Sequence, residues 1–369
     1  MKKATISKGL KPIAFFLVAV ILVCAFGFSA DGWQIKDSSK KPSQSNGNND
    51  SITNSTNNSE KDKGSSDTST DLPPEPKFYN QLTGEETTEE LSQAPHTAFV
   101  ISPASPMYGI SYSDILMEFP IENGSTRLLA FINSPNEISK IGSLDKTRGY
   151  ISNLAKAFNS TVFASGNDDS VEYIKCDVGN ALSTEENVKN FIYTEFSRYT
   201  YTGSSLVSSA LSSINTASPE VKTPLTFNTS DAPIKGETIF NKITIPYTAT
   251  EYSSLSYSQE RHTYCFEKSN ASVSDLTNTK GLEFANCFIL FADSITYEDQ
   301  NSTQMILKTI GEGIGYYFTE GTAKQIKWSL SQDGTMSLLD ELSNELVINK
   351  GKSYFSFVKS SRIGDIVLS

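Results

Sequence analysis

Asp114-Ile115-Leu116-Met117-Glu118-Phe119-Pro120-Ile121-Glu122-Asn123-Gly124-Ser125-Thr126-Arg127-Leu128-Leu129-Ala130-Phe131-Ile132 decides the fold. Two apolar stretches flank Asn-Gly, the strongest short-range hairpin signal, because both residues accept the positive φ of a tight turn. On an ideal two-residue turn Arg127 faces Pro120, and Glu118 and Glu122 become its diagonal neighbours on one face. Ile115, Met117 and Phe119 then point the other way, into a core.

Around this hairpin the patterns mix strands with helices. Thr97 to Ile101 and Thr161 to Ala164 read as strands. Ile151, Leu154, Ala155 and Phe158 recur at i, i+3, i+4 and i+7, one apolar stripe of a helix. Val207, Ala210, Leu211 and Ile214 repeat it, and Ser183 with Glu186 has capping-box spacing ahead of Val188. After Phe240 the period changes to two. Ile243, Ile245 and Tyr247, then Leu255 and Tyr257, then Tyr264 and Phe266 alternate with polar neighbours, and Cys287 to Phe291 is an apolar run for a central strand. Ile326, Trp328 and Leu330 alternate as well. Asn349-Lys350-Gly351 predicts a closing hairpin between Val347-Ile348 and Tyr354 to Val358. The fold class is α+β, with a mixed sheet in an N-terminal domain over 78–230 and a mostly antiparallel β domain over 236–369. The Pro-, Thr- and Asp-rich segment between about Ser218 and Gly236 is the boundary.

Upstream, Lys2, Lys3, Lys8 and Lys11 precede a weakly polar or apolar run from Pro12 to Ala30, a helix of roughly 28 Å at 1.5 Å per residue. A basic cytoplasmic flank and a bilayer-length span put the rest of the chain outside the cell, held to the plasma membrane by residues 12–30. Retention as a signal anchor, cleavage after Gly27 or Ser29, and lipidation at Cys24 all give this side; bulky Val23 disfavours the last. Residues 31–77, dominated by Ser, Asn, Thr, Lys, Asp and Gly, read as a disordered linker that can span roughly 35–40 Å r.m.s. as a coil. The formal net charge of −11 disfavours nucleic acid as a partner. Cys176, Cys265 and Cys287 are an odd set, so at least one thiol is free, and buried free cysteines are a better reading than a Cys265–Cys287 disulfide.

Taken in order, these segments resemble the YerB-like family, extracytoplasmic bacterial proteins, usually lipoproteins, with two domains of unknown function. The resemblance runs from Asn80 to Val358. It is carried by Leu82-Thr83-Gly84, by Tyr112-Ser113-Asp114-Ile115-Leu116-Met117-Glu118 where the family has a similar Ala-Asp-Ile-Val-Tyr-Glu, and by Glu122, Gly124 and Ser125-Thr126-Arg127. The loop from Ile141-Gly142 to Thr147-Arg148 with Tyr150 follows. Ile245-Pro246-Tyr247, the glycines from Gly311 to Gly315, Gly321, Trp328 and Gly351 complete it. The resemblance implies a layered α/β sandwich for the N-terminal half. The chain departs from the family at Thr202-Gly203-Ser204-Ser205-Leu206 and at Ala164-Ser165-Gly166, where family histidines are missing, and at Asp145-Lys146, where the family has Arg-Ser. Proton transfer or metal binding through those histidines is therefore not expected here.

Asp114, Glu118, Glu122, Arg127 and Arg148 form the candidate ligand-binding constellation. Carboxylates held near arginines can bind a polar ligand, or divide acid and base roles if one is buried and its pKa raised. The competing reading is a surface ion-pair row worth about 0–1 kcal/mol per pair. Gly311, Gly313 and Gly315 imitate a phosphate loop, but Tyr316-Tyr317-Phe318 continues as strand, so turn or bulge glycines are expected. His262 and Cys265 fall on opposite faces of a strand, against a zinc site with Cys287, and His96 reads as a capping or surface residue. No metal and no cofactor is expected. The function expected is recognition of a cell-wall polymer or an envelope protein; the alternative is an enzyme on an envelope polymer with Glu118 and Glu122 as its acid/base pair.

Overall fold

The computed structural model describes residues 76–168, 181–183, 185–214, 223–298 and 303–369. The expected anchor (12–30), nearly all of the linker, Cys24 and Cys176 lie outside these residues. Among the described residues no helix is long and apolar enough to cross a membrane.

The hairpin forms where the alternation puts it, Ile115–Pro120 antiparallel to Thr126–Ile132. Its register differs by one residue from the two-residue turn. Glu122–Gly124 make a 3-10 turn, Asn123 and Gly124 both have positive φ (58° and 75°), and the Ile121 N–H closes onto the Ser125 carbonyl. Phe119 therefore faces Arg127, and Glu118 faces Leu128. Because side chains alternate, this slip sends Arg127 to the face of Phe119 and Glu118 to the opposite face. Both strands are buried along their whole length, so the expectation of one solvent-facing side is corrected.

The fold is mostly strands with few helices. Among the described residues an eleven-stranded mixed sheet carries it, with strands from both halves of the sequence. Ser353–Lys359 lies near its middle, parallel to Asn286–Ala292 on one side and to Ile115–Pro120 on the other. Beyond the hairpin, His96–Ile101 pairs antiparallel with Thr126–Ile132 and parallel with Ser160–Phe163. Toward the other edge, Asn286–Ala292 pairs with Gly311–Thr319, which pairs with Thr322–Leu330. A core fills each face. On one, helix Gly149–Ala157 delivers Ile151, Leu154 and Ala155 against Phe119, Phe131 and Phe357. On the other, Leu116, Leu128, Cys287 and Tyr354 meet Ile243, Ile245, Leu255 and Phe266 of a six-stranded antiparallel sheet.

Two local expectations change. Val347-Ile348 does not pair with Tyr354–Val358; it runs parallel to Thr226–Phe227. The Asn349 side chain explains why, since it accepts from the Ile234 N–H and donates to the Ile234 carbonyl, both at 2.8 Å, binding this turn to a distant loop. His96 is neither cap nor surface residue: it is buried in the sheet, 2.9 Å from the Phe158 carbonyl through Nδ1, and burial lowers its pKa. Gly311–Thr319 is a strand as expected, and Gly313 has a packing reason. It sits directly across from Trp328, whose indole Nε1 donates to the Phe291 carbonyl at 3.1 Å; a Cβ there would lie 2.5 Å from that carbonyl oxygen.

Candidate functional site

The five predicted residues separate into three environments. Asp114 immediately precedes the Ile115–Pro120 strand. It accepts from the Asn133 N–H (2.8 Å) and from Asn80 (3.4 Å), and burial pushes its pKa up to about 6.

Glu118 is fully buried between the two sheets. Its Oε1 pairs with Lys268 from the Thr263–Lys268 strand. Its Oε2 accepts from Ser253 at 2.8 Å and from Tyr354 at 2.5 Å. Lys268 Nζ is itself held by Thr126 Oγ1 at 2.7 Å and lies 4.8 Å from the centre of the Tyr247 ring. Burial alone would raise the Glu118 pKa, but the Lys268 charge and these donors take it below the usual carboxylate range. The Tyr354 hydroxyl moves the other way, through burial first and the neighbouring carboxylate second, so it keeps its proton. Both Glu118 oxygens are occupied, and no side of the carboxylate is open to a substrate.

Glu122, Arg127 and Arg148 come together on the opposite face. Arg148, at the N-terminus of helix Gly149–Ala157, grips Glu122 through two nitrogens at 2.7 and 2.8 Å and reaches Asp168 at 2.8 Å. It also donates to the Met305 carbonyl at 3.0 Å. Arg127 binds Asp145 at 3.1 Å and the same Asp168 oxygen at 3.2 Å. The Arg148 side chain is 3% exposed and that of Arg127 9%, so this is a closed network with little resemblance to a surface ion-pair row. Burial raises the Glu122 and Asp168 pKa values, but the guanidinium hydrogen bonds and charges bring both below normal. Two arginines facing three carboxylates leave the cluster one formal negative charge, with each arginine bonded to two of the acids.

Sequence reading missed Lys268, Ser253, Tyr354, Asp145 and Asp168. Two signals pointed to the first group: Glu118 interrupts an otherwise apolar strand, and Ser253 falls on the inward phase of Leu255, where an apolar side chain belongs. A buried charge demands a partner, but nothing local says that it lies 150 positions away.

The other candidates are dispersed. His262 stands in a turn, 2.8 Å from Glu320. Cys265 and Cys287 are free thiols, the first with Arg261 donating to its sulfur at 2.9 Å, the second buried, which pushes its pKa up. Among the described residues no group of three His, Cys, Asp or Glu side chains is placed to hold a metal ion.

Residues 82–215 match "Protein of unknown function (DUF3048) N-terminal domain", and residues 243–355 match the corresponding C-terminal domain. A Bacillus subtilis (strain 168) protein named "Putative lipoprotein YerB" is 23% identical over 265 residues, covering 68% of this chain and 78% of its own. The crystal structure of the YerB protein from Bacillus subtilis superposes with a TM-score of 0.68 at 19% identity, covering 79% of this chain and 99% of that one, a likeness of fold.

Proposed function

Because the chain belongs to the DUF3048 family through both its N- and C-terminal domains, we propose that it is a non-catalytic, extracytoplasmic binding or scaffolding protein at the cell envelope. In this reading residues 12–30 hold it to the plasma membrane and its partner is a cell-wall polymer or an envelope protein. The location is supported by the lysines ahead of the Pro12 to Ala30 run and by the lipoprotein name of the Bacillus subtilis relative.

One observation carries the non-catalytic part. Glu118 is ionised, sealed from solvent and occupied at both oxygens by Lys268, Ser253 and Tyr354. Glu122 is ionised and gripped by Arg148. An acid/base pair needs one member holding a proton at working pH, and neither does. The two carboxylates act as structural ions.

The test is incubation of the chain with purified peptidoglycan sacculi, following both co-sedimentation and release of soluble fragments. Co-sedimentation without release is expected. Fragment release that disappears in a folded Glu118→Gln variant overturns the reading in favour of an enzyme.

A further inference from the structure

The outer edge of the Thr322–Leu330 strand is covered at both ends and open in the middle. Thr238 and Ile239 pair with Ala323 and Thr322 at one end. At the other, Met336–Leu339 pairs with Leu330 through Lys327. Lys324, Gln325 and Ile326 face no strand on that side among the described residues. Their inner side is filled by Tyr317, Tyr316 and Gly315.

The ladder fixes which groups are left over. Glu320 and Gly321, both with positive φ, form the two-residue turn that joins Thr319 to Thr322. A turn of that length makes Thr319 and Thr322 a hydrogen-bonded pair, so even-numbered residues from Thr322 onward bond inward and odd-numbered residues bond outward. The 2.8 Å bond from the Phe240 N–H to the Gly321 carbonyl has the same phase. Gln325 therefore directs its N–H and C=O into the gap.

Beside the gap lies a groove of about 580 Å³, floored by Phe240, Tyr316 and Leu368. Leu342 on its lip is 82% exposed, and Ile239 next to one end of the gap is 75% exposed. Three carboxylates, Glu237, Asp340 and Glu341, rim it against one ammonium, Lys324. Sheet edges are ordinarily blunted, and an unpaired rung flanked by exposed apolar side chains is the setting in which an extended peptide adds a strand. The acidic rim selects the charge of that peptide.

We propose that this gap is a docking slot for an extended segment of a partner protein, alternating apolar residues with lysine or arginine. Its backbone pairs with Gln325, its apolar side chains cover Phe240 and Tyr316, and its cations meet Asp340 and Glu341. The proposal rests on the binding reading above and selects the protein partner within it.

The experiment uses the full chain in detergent and a fluorescein-labelled peptide, Lys-Val-Thr-Val-Lys-Val, followed by anisotropy. Three results are expected: saturable binding, a loss of about tenfold or more on N-methylation of the peptide's threonine, and a similar loss with Leu342→Lys, which removes the apolar lip and opposes the peptide's charge. Leu342→Lys alters an exposed residue, and circular dichroism verifies its fold. Slower hydrogen exchange at the Gln325 amide on binding supports the same geometry. No binding of the basic peptide, or equal binding of its N-methylated form, overturns the slot. If the chain still co-sediments with sacculi in that case, the slot alone fails and the binding reading stands; if it binds neither, both fail.

Discussion

Glu118 and Arg127 leave their shared hairpin on opposite faces, the carboxylate toward Lys268 and the guanidinium toward Asp145 and Asp168. The two therefore anchor different layers of the molecule. Glu118 ties the large sheet to the six-stranded one, and Arg127 with Arg148 ties it to the loops on the other side.

Breaking the first tie leaves a buried charge without its counterion. Glu118→Gln and Lys268→Met are each expected to lower stability by about 3–5 kcal/mol in urea unfolding. The double variant Glu118→Leu/Lys268→Met is expected to recover most of that loss, because neither charge remains. If the single variants unfold within about 1 kcal/mol of the parent, the pair does not hold the sheets together.

The second tie depends on the shape of the guanidinium. Arg148 bonds Glu122, Asp168 and the Met305 carbonyl at once, which one ammonium cannot reproduce. Arg148→Lys should cost about 2 kcal/mol or more, with little dependence on salt because the site is closed. A loss that vanishes in high salt would mean that the network is solvated.

Asp114 gives a pH dependence of definite sign. Its folded pKa of about 6 lies above the ordinary 3.8, so between those values the folded chain holds a proton that the unfolded chain releases. Stability from this group falls as pH rises through that window and is level above it. Glu118, Glu122 and Asp168, with lowered values, act in the opposite direction. The difference between the parent and Asp114→Asn isolates the group: the variant should gain, relative to the parent, on the order of 3 kcal/mol between pH 4 and pH 7. A pH-independent difference would refute the raised value.

A turn offers the reverse test. Phe196 and Ser197, at the centre of the turn between Glu195 and Arg198, have φ of 54° and 51°, and Phe196 is 87% exposed. Positive φ disfavours both residues, and no burial repays the ring. Phe196→Asn with Ser197→Gly is expected to raise stability by about 1–2 kcal/mol, read as a higher Tm. An unchanged Tm would mean that the turn is not strained.

Most of the strands and helices were legible because their periodicity is local. Ile151, Leu154 and Ala155 declared a helix face, and Ile243, Ile245 and Leu255 declared a strand face; all six are fully buried. The site was not legible to the same degree. Its composition depended on one residue of register, and Asn123-Gly124 fits a three-residue loop as readily as a two-residue one, so Glu118 and Arg127 were assigned to a common face. Lys268 and Tyr354 reach Glu118 from positions far along the chain, and no local pattern encodes that meeting. Asn349 misled for the same reason: its side chain is committed to Ile234, and the apparent hairpin signal served a tertiary contact.

The position of Ser353–Lys359 has a consequence for folding. This strand joins the Asn286–Ala292 and Ile115–Pro120 ladders and pairs Ser353 with Ile115, so the middle of the large sheet closes only when segments 238 positions apart meet. Such non-local pairing makes folding slow relative to stability, and until it occurs the Ile115–Pro120 strand keeps one raw edge.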